Sequence, residues 1–542
     1  MSFINITTNN LSRELTNVPT FSDNWVYVPG ASITGDWSRP VPISSLDEFR
    51  KNFGTHSPDG SITYEYVAGV LSTGLPVLFQ RIACKDQASV KWTGGVPILP
   101  IDTPKAECAS YTYSHTKTIE DEVADPITVT YDDIKVSEKW GGTYGNDVTV
   151  CIKPSANTYW IEVRYKGQQI EKEKIYTIKS TDDDTSIKVN FIDAINRLEL
   201  QKVNVEVLCE VNPETGEYDV ENFEIPVTNE FKQLTGGTDF DADLIKTEIP
   251  SMYNLVTDKV LYFPKFITSG GYTDDSVTDS SIGSAMKALT VLRQDCRALI
   301  DLPLGTLKED YQTEAIKYAY TQYGGATTIP SASMCGPWMY MQVGNDQLWM
   351  PPSFVYLTAV GDAVSRGEGT YTPKAGLISG RVTNIIKPEF EIGSDYASKW
   401  QTDGKVQINP IMRLQSNNFV IAGNSTLLIT GEEEVNAFGE SSADLTVIEI
   451  RRFVYNLATE LQFQYNNVAA FEKFSINSAN FFEGMIKKGA ITDYAITNIS
   501  TDDDPRTLKI KVDVLVTPTI KAIEIYLNVA YGSVELNAGG EV

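Results

Sequence analysis

Histidine is nearly absent from this chain of 542 residues, which contains only His56 and His115. Histidine is the most common general base near neutral pH and the most common metal ligand. A Ser-His-Asp triad needs a histidine within reach of its serine, yet residues 236–440 contain no histidine and no G-x-S-x-G nucleophile elbow. We therefore expect no catalytic residues, and an α/β hydrolase or a sugar-active enzyme is the disfavoured alternative.

Cysteine is scarce as well. The six cysteines lie far apart and form no C-x-x-C pair, which favours reduced thiols over a disulfide framework or a zinc site. Asp239, Asp241 and Asp243 have the spacing that starts an EF-hand calcium loop, but Leu244 replaces its glycine and Pro250 its final glutamate. We therefore expect no metal and no other cofactor, with calcium at this loop or at the acidic runs 182–184 and 502–504 as the remaining alternative.

Basic residues are outnumbered, because 45 lysines and arginines face 71 aspartates and glutamates and leave a net charge of −26. A protein that binds duplex nucleic acid needs a basic surface, and an anionic membrane would likewise repel this chain. No apolar stretch approaches the roughly 18 residues of a membrane-spanning helix. The start, MSFINITTNNLSREL, lacks the basic and apolar regions of a secretory signal. We expect no direct nucleic-acid contact, no membrane insertion, and folding in a cytoplasm.

Residues 21–100 have the pattern of the first part of an α/β core. Ser45 and Glu48 form a capping box, which predicts the start of a helix. The loop GASITGDW before it has the glycines of a phosphate cradle, but Asp36 and Trp37 stand where a P-loop has Lys and Ser/Thr. We expect turn glycines there and no nucleotide. The predicted elements are a strand at 25–28, helices at 45–54 and 63–71, and a strand at 76–83.

Three further segments follow. Short alternating runs over residues 101–233 predict an inserted β-rich domain with antiparallel strands. The βαβ alternation over residues 234–440 predicts a central α/β domain with a mixed, partly parallel sheet. A helical stripe ending at Leu461 and a period-2 strand at 508–516 predict an α+β domain over residues 441–530. The central elements expected are strands at 259–267, 296–302 and 338–343 and helices at 281–293 and 309–320.

Both ends of the chain carry short alternating segments outside these domains. A terminal strand has unpaired backbone groups that must find partners. The residues alone leave two alternatives, namely pairing within the same domain or donation to the sheet of a neighbouring subunit. The extensions are residues 1–20 and 531–542, and their strand-like residues are Phe3, Ile4, Ile6, Val534 and Leu536.

Several motifs, in this order, resemble the sheath proteins of contractile bacteriophage tails and of related contractile injection systems. The resemblance rests on the order of these motifs and on their covering most of the chain, and not on any single motif. The family's usual Gly-Pro after the first loop is replaced here by Gly35-Asp36-Trp37, and Phe240 stands where a later family motif ends in glycine. The motifs are residues 26–54 and 67–82, WGGTYGND at 140–147, LTGGTD at 234–239, PPS at 351–353, VGDAVSRGEG at 360–369, NFVIAGNSTL at 418–427 and IEIRRF at 448–453.

The resemblance implies a multidomain α/β and α+β subunit with a subtilisin-like central domain and extended terminal strands. It implies a structural function: stacked hexameric rings around an inner tail tube that contract and drive the tube through a host cell envelope for genome delivery. The implied partners are other copies of the chain, the tail tube protein, and the baseplate and tail terminator proteins. The implied location is the virion tail after assembly in the host cytoplasm, and the sheath of a non-viral injection or bacteriocin particle is the alternative.

The resemblance also bears on individual residues. It favours exchange of the two terminal strands between subunits over pairing within one domain. It implies that residues 441–530 face the tail tube, partly through charge complementarity, and Lys487 and Lys488 are the candidate contacts. The preference of lysines for a helix C-terminus accounts for the same two residues equally well.

Overall fold

The structure is a computed structural model. It describes residues 5–8, 13–16, 24–58, 60–93, 96–100, 102–119, 127–209, 211, 218–226, 228–276, 279–305, 311–323, 331–402, 405–414, 418–429, 436–500 and 506–520.

A mixed nine-stranded sheet forms the centre of the molecule. Six neighbouring strands in its middle run parallel, and antiparallel strands complete both sides. This confirms the predicted α/β core with a mixed sheet. In spatial order, with labels numbered along the chain, the strands are β20 (Arg381–Val382), β23 (Phe419–Ile421), β22 (Asn409–Arg413), β17 (Ala332–Gly336), β16 (Arg297–Asp301), β15 (Phe266–Ile267), β3 (Val26–Gly30), β5 (Val77–Arg81) and β4 (Val41–Ile43).

Helices cover both faces of this sheet. Side chains alternate across β3, so that Val26 and Val28 pack with α2, α7 and α10 while Tyr27 packs with α4, α5 and α6. The centre of the protein is therefore a three-layer α/β arrangement with a separate apolar core on each face. The helices are α1 (Leu46–Phe53), α2 (Thr63–Ser72), α3 (Asp184–Asn196), α4 (Ala242–Met252), α5 (Ser281–Arg293), α6 (Tyr311–Tyr323), α7 (Pro352–Ser365), α8 (Gly376–Ser379), α9 (Ser394–Trp400), α10 (Ser441–Leu461) and α11 (Val468–Lys487).

The inserted segment builds two antiparallel sheets with an apolar core of their own. Helix α3 packs on β12 and β13, and its Phe191, Ile192 and Ile195 are buried in this third core. The predicted antiparallel β structure of the insertion is confirmed. One sheet contains β12 (Gln168–Thr177), β11 (Thr158–Tyr165), β10 (Val148–Ser155) and β14 (Lys232–Gln233), and the other contains β13 (Val203–Val207), β9 (Ile127–Glu138) and β8 (Ser110–Ile119).

Four smaller antiparallel sheets complete the fold. The sheet β24–β25 packs on α11, where the rings of Phe482 and Tyr494 stack with centroids 4.7 Å apart. None of the helices in the described part of the chain is long and apolar enough to span a membrane. The sheets are β1 (Asn5–Thr8) with β2 (Arg13–Thr16), β6 (Lys91–Thr93) with β7 (Val96–Ile98), β19 (Asp346–Met350) with β18 (Met339–Val343) and β21 (Ile385–Pro388), and β24 (Ile491–Asn498) with β25 (Ile510–Val516).

Two of the predicted central strands need correction. Within 259–267 only Phe266–Ile267 forms a strand, because the Arg293 guanidinium draws the carbonyls of Val256, Asp258 and Tyr262 into a turn around it. The strand at 338–343 exists but belongs to the separate antiparallel sheet of β18, β19 and β21. Its predicted place in the central sheet is taken by β17, whose small residues, ASMCG, carry little strand signal.

Candidate functional site

The loop after β3 connects the central sheet to the inserted domain through Arg81. This buried guanidinium donates hydrogen bonds to the carbonyls of Ser32 (3.2 Å) and Gly35 (2.9 Å) in the loop. It also donates to the carbonyls of Trp140 (2.9 Å) and Gly141 (2.7 Å) at the start of the WGGTYGND motif. Burial lowers the pKa of Arg81 to about 10, which still leaves it charged at neutral pH. One side chain therefore clamps two family-like motifs together.

Glu138 completes this junction from the inserted domain. The hydroxyl of Thr34 donates to its carboxylate at 2.7 Å, and the backbone N–H groups of Trp140 and Gly141 donate to the same side chain. Burial raises the pKa of Glu138, while Thr34 and Arg81 oppose that rise. Side chains of the protein itself thus bind the loop after β3, which the sequence predicts to be structural and not to hold a nucleotide.

Four glycines of these loops are confirmed as turn glycines, whereas Gly30, Gly145 and Gly237 do not have positive φ. Gly35, Gly141, Gly142 and Gly236 all have positive φ. At Gly142 (φ +125°) a Cβ atom would lie 2.0 Å from the carbonyl oxygen of Ile33, so only glycine lets the two loops approach this closely. The glycine pattern therefore serves close backbone packing between the core and the insertion.

The acidic start of the central domain also has structural partners. Asp239 accepts hydrogen bonds from the backbone N–H and the hydroxyl of Thr143, both at 2.9 Å, and Asp241 caps the start of α4. The histidine of the insertion, His115, contacts Asp133 through Nδ1 at 2.9 Å. Within the described residues, no group of three or more potential ligands could hold a metal ion.

Helix α10 is fastened to the central sheet by buried charges. Arg452 donates to the carbonyls of Asp295 (3.0 Å), Phe263 (2.9 Å) and Pro264 (2.7 Å), which lie beside the starts of β16 and β15. The Asp295 carboxylate accepts two hydrogen bonds from Arg293 at 2.9 Å and lies 3.8 Å from Arg452. All three charged side chains are buried. The C-terminal unit is therefore joined to the core by a charge network.

Two further ion pairs extend this attachment along α10. Lys265 pairs with Glu449, and Arg297 donates to the carbonyl of Ser441 at 2.7 Å near the carboxylate of Asp444. The contacts thus extend over about three turns of the helix, from Ser441 to Arg452, and reach the end of the sheet at which β15 and β16 start. A rigid joint between the central and C-terminal units follows from this spacing.

The PPS motif at the start of α7 surrounds a buried carboxylate. Asp301, at the end of β16, accepts hydrogen bonds from the Ser353 N–H at 2.6 Å and from its hydroxyl at 2.7 Å. The Ser353 hydroxyl also lies 3.0 Å from that of Tyr66. Burial raises the pKa of Asp301 from 3.8 to about 7.

This raised pKa predicts a stability loss with rising pH. Between about pH 4 and pH 7 the folded protein keeps a proton that the unfolded chain has released, so each increase in pH favours unfolding. Asp301 alone is expected to lower the free energy of unfolding by about 4 kcal/mol across this range and by nothing further above it. Urea unfolding of the wild type and of Asp301→Asn at several pH values checks this. The free energy of unfolding of the wild type minus that of Asp301→Asn should fall by about 4 kcal/mol from pH 4 to pH 7. A difference that does not change with pH contradicts the assignment.

The sheet β24–β25 is the candidate acceptor of a foreign strand. Among the described residues it has only two strands, so the outer backbone edge of each strand meets no third strand there. Along β25 every second residue is half-buried toward α11, and Leu515 is exposed on the other face. An unfilled sheet edge of this kind can accept an extended segment from another chain.

The predicted terminal residues are only partly visible. Ile6 lies in β1, opposite Leu15 of β2, and within the described residues this hairpin forms no ladder with another sheet. The other four predicted residues lie outside the described residues; they are Phe3, Ile4, Val534 and Leu536.

Lys487 and Lys488 lie where the sequence predicts, at the C-terminal end of α11. Both side chains are exposed, and Lys488 also borders a cleft formed by the C-terminal unit and the central domain. The structure thus brings the lysines near β24–β25, since a single turn separates α11 from β24.

The buried charges that hold these parts together are not among the residues predicted from the sequence. They are Arg81, Glu138 and Asp295. A signal existed at Arg81, because an arginine inside the apolar run PVLFQRIA must be paired if that run is a buried strand. The same signal was present in IEIRRF, whose Arg452 lies on the helix face that meets the core.

No protein-family model matches the chain. The structure superposes on the sheath tail protein of Listeria innocua with a TM-score of 0.57 at 12% identity, covering 92% of this chain and 96% of that one. The predicted fold class is confirmed, and the chain has the fold of a sheath tail protein.

A sequence match gives a particular relative within that class. The chain is 20% identical over 296 residues to the tail sheath protein of Enterobacteria phage T4. The match covers 51% of this chain and 42% of the phage protein, so it spans less than half of that relative's length. The resemblance drawn from the ordered motifs is thereby confirmed.

Proposed function

We propose that this chain is a structural tail sheath subunit, which assembles with other copies into hexameric rings stacked around an inner tail tube. The observation that carries the proposal is the likeness to a sheath tail protein over nearly the whole of both chains. The sequence match to the phage T4 tail sheath protein supports the same role. The six predicted segments serve as the working domain limits of this subunit.

Exchange of terminal strands is the proposed link between subunits. The N-terminal extension with Phe3, Ile4 and Ile6 and the C-terminal extension with Val534 and Leu536 would add strands to β24–β25 of neighbouring copies. Among the described residues no third strand pairs with either edge of that sheet, which supports this, because an added strand would form hydrogen bonds with the backbone groups there. A mesh joined by backbone hydrogen bonds stays connected while subunits move during contraction.

The proposed partners outside the sheath are the tail tube, baseplate and tail terminator proteins, and the proposed location is the virion tail after assembly in the host cytoplasm. Lys487 and Lys488 are the proposed contacts with an acidic tube surface, in the C-terminal unit expected to face it. Exposed ion pairs are weak and sensitive to salt, which suits an attachment that contraction must release. Contraction would drive the tube through the host envelope, and the subunit itself would carry out no catalysis.

Electron microscopy and sedimentation of the purified protein test the proposal. We expect long striated tubes or stacked rings whose abundance rises with protein concentration. Deleting residues 1–20 or residues 531–542 should leave a folded monomer that forms neither, because each deletion removes one donated strand while the central sheet keeps all its strands.

The folded state of each truncated protein is the control, measured by circular dichroism and thermal unfolding beside the full chain. A full-length protein that stays monomeric at high concentration would refute the sheath function. Normal tubes from both truncated proteins would refute strand exchange and leave the sheath function intact.

A further inference from the structure

The connection between α10 and α11 presents a cluster of exposed apolar side chains. Phe463 is 101% exposed, Tyr465 is 89% exposed and Val468 is 72% exposed; we refer to these three residues as the knob. Residues 461–471, LQFQYNNVAAF, contain no charged side chain in a chain whose net charge is −26. Exposed aromatic residues in an uncharged setting are the composition of an interface centre.

The backbone at the knob is strained. Phe463 has φ +64°, a left-handed conformation that bulky residues rarely adopt and that costs about 1–3 kcal/mol. The turn is held by hydrogen bonds from the N–H of Gln464 to the carbonyl of Leu461 (3.1 Å) and from the N–H of Ala470 to the carbonyl of Asn467 (3.1 Å). Because its side chain is fully exposed in the described structure, Phe463 gains no burial there that would offset this cost.

A cleft of about 800 Å³ has a complementary lining. Its walls come from residues 371–373, 375–376, 422–425 and 516–520, together with the start of α10 and the end of α11. Among the described residues that line it, Lys488 is the one charged residue, and the others are apolar or carry hydroxyl or amide groups. The Thr517 hydroxyl is buried without a hydrogen-bond partner in the described structure. An uncharged aromatic knob fits such a lining without burying a carboxylate.

The cleft is preformed. Glu440 accepts hydrogen bonds from the N–H of Thr519 at 3.1 Å and from its hydroxyl at 2.9 Å. These bonds fasten the chain that leaves β25 to the start of α10, so the wall formed by residues 516–520 is held in place.

The knob and the cleft lie at opposite ends of the α10–α11 pair. Thr446 of α10 lines the cleft, and the helix continues for 15 more residues to Leu461, which is about 22 Å at 1.5 Å per residue. Helix α11 then runs back over 20 residues, from Val468 to Lys487, and Lys488 lines the cleft. The knob of one chain therefore does not reach its own cleft.

We propose that the knob inserts into the cleft of a second copy of this chain. Two chains that each carry a charge of −26 repel one another, and they approach at least cost where neither surface presents a carboxylate, as in the knob and the cleft lining. A contact between opposite ends of one helix pair is head-to-tail, and such heterologous contacts generate rings or helical filaments. Each buried aromatic side chain would remove about 150–250 Å² from water. This inference rests on the proposed sheath function and adds a second contact to strand exchange.

Photo-crosslinking in the full-length assembled protein tests the contact. Phe463 is replaced by p-benzoylphenylalanine, the polymer is formed from a mixture of isotopically light and heavy protein, and crosslinked peptides are identified by mass spectrometry. We expect mixed light–heavy crosslinks to residues 371–376, 422–425 or 516–520. Crosslinks to other regions of a second copy, to the same chain, or to added tail tube protein alone would overturn the proposal.

Matched substitutions provide the second measurement. The double variant Phe463→Ser with Tyr465→Ser, and the cleft-filling variant Ala422→Trp, should each raise the protein concentration needed for polymerisation about tenfold or more. The control is Ile127→Ser, which removes a side chain that is 61% exposed on the inserted domain. Polymerisation of both interface variants at the wild-type concentration refutes the knob contact alone. A wild type that never polymerises refutes the sheath function, and this contact with it.

Discussion

Replacing Arg81 by leucine is expected to lower the free energy of unfolding by about 3–5 kcal/mol. The substitution leaves the carbonyls of Ser32, Gly35, Trp140 and Gly141 without their donor in a buried site. It also leaves the buried carboxylate of Glu138 without its nearby positive charge. The urea concentration at half-unfolding measures the loss, with intrinsic fluorescence of the tryptophans as the signal.

The matched control for this variant is Arg39→Leu. The Arg39 side chain is 73% exposed and its ion pair with Asp36 spans 3.6 Å, so its removal should change stability by about 0.5 kcal/mol or less. If the two variants unfold at the same urea concentration, Arg81 does not hold the junction. Limited proteolysis gives a second measurement. If the junction is loosened, the protease should cut the linkers of the inserted domain while the central sheet is still folded.

Replacing Asp295 by alanine is expected to be similarly severe, with a loss of about 3–5 kcal/mol. The carboxylate is the shared counter-ion of Arg293 and Arg452, and all three side chains are excluded from water. Its removal leaves two buried guanidinium groups close together, which repel each other at the joint between α10 and the sheet. Thermal unfolding and hydrogen exchange of α10 measure the effect.

An exposed aspartate gives the comparison. Asp275 pairs with Lys246 on the surface, where its side chain is 81% exposed, and Asp275→Ala should be nearly neutral. Of the two variants, only Asp295→Ala should show faster hydrogen exchange in α10 than the wild type. Equal exchange rates in α10 for the wild type and Asp295→Ala would show that the network does not fasten the helix.

Local sequence signals predicted the elements whose stabilising contacts are close along the chain. The predicted N-cap at Ser45 is present, with the Glu48 N–H donating to the Ser45 hydroxyl at 3.2 Å and the helix ending at Gly54. The Glu48 carboxylate accepts from the N–H of Ser44 (2.8 Å) instead of that of Ser45, so the reciprocal bond of the capping box is shifted by one residue. The period-2 pattern before Pro518 correctly predicted β25, and the apolar runs PVLFQRIA and CRALIDL correctly predicted β5 and β16. These elements depend on periodicity and capping, which a single segment contains in full.

Predictions failed where a distant partner overrides local preference. The apolar run at 259–263 has strand propensity, but the Arg293 side chain, some 30 residues further along the chain, holds it as a turn. The residues 332–336, ASMCG, have little propensity and still form a central strand between β16 and β22. Backbone hydrogen bonds from both neighbours supply what the side chains do not.

The sequence by itself determined the class of fold and the resemblance to contractile sheath proteins. The near absence of histidine, the acidic charge and the ordered motifs needed no coordinates, because composition and local patterns are properties of the chain alone. The tertiary structure decided which charges are buried and paired, as with Arg81 at the junction and Asp295 beneath α10. It also decided that the uncharged knob and the cleft, with Lys488 in its lining, lie at opposite ends of one helix pair. Such relations join residues far apart in the chain, and only packing brings them into contact or keeps them apart.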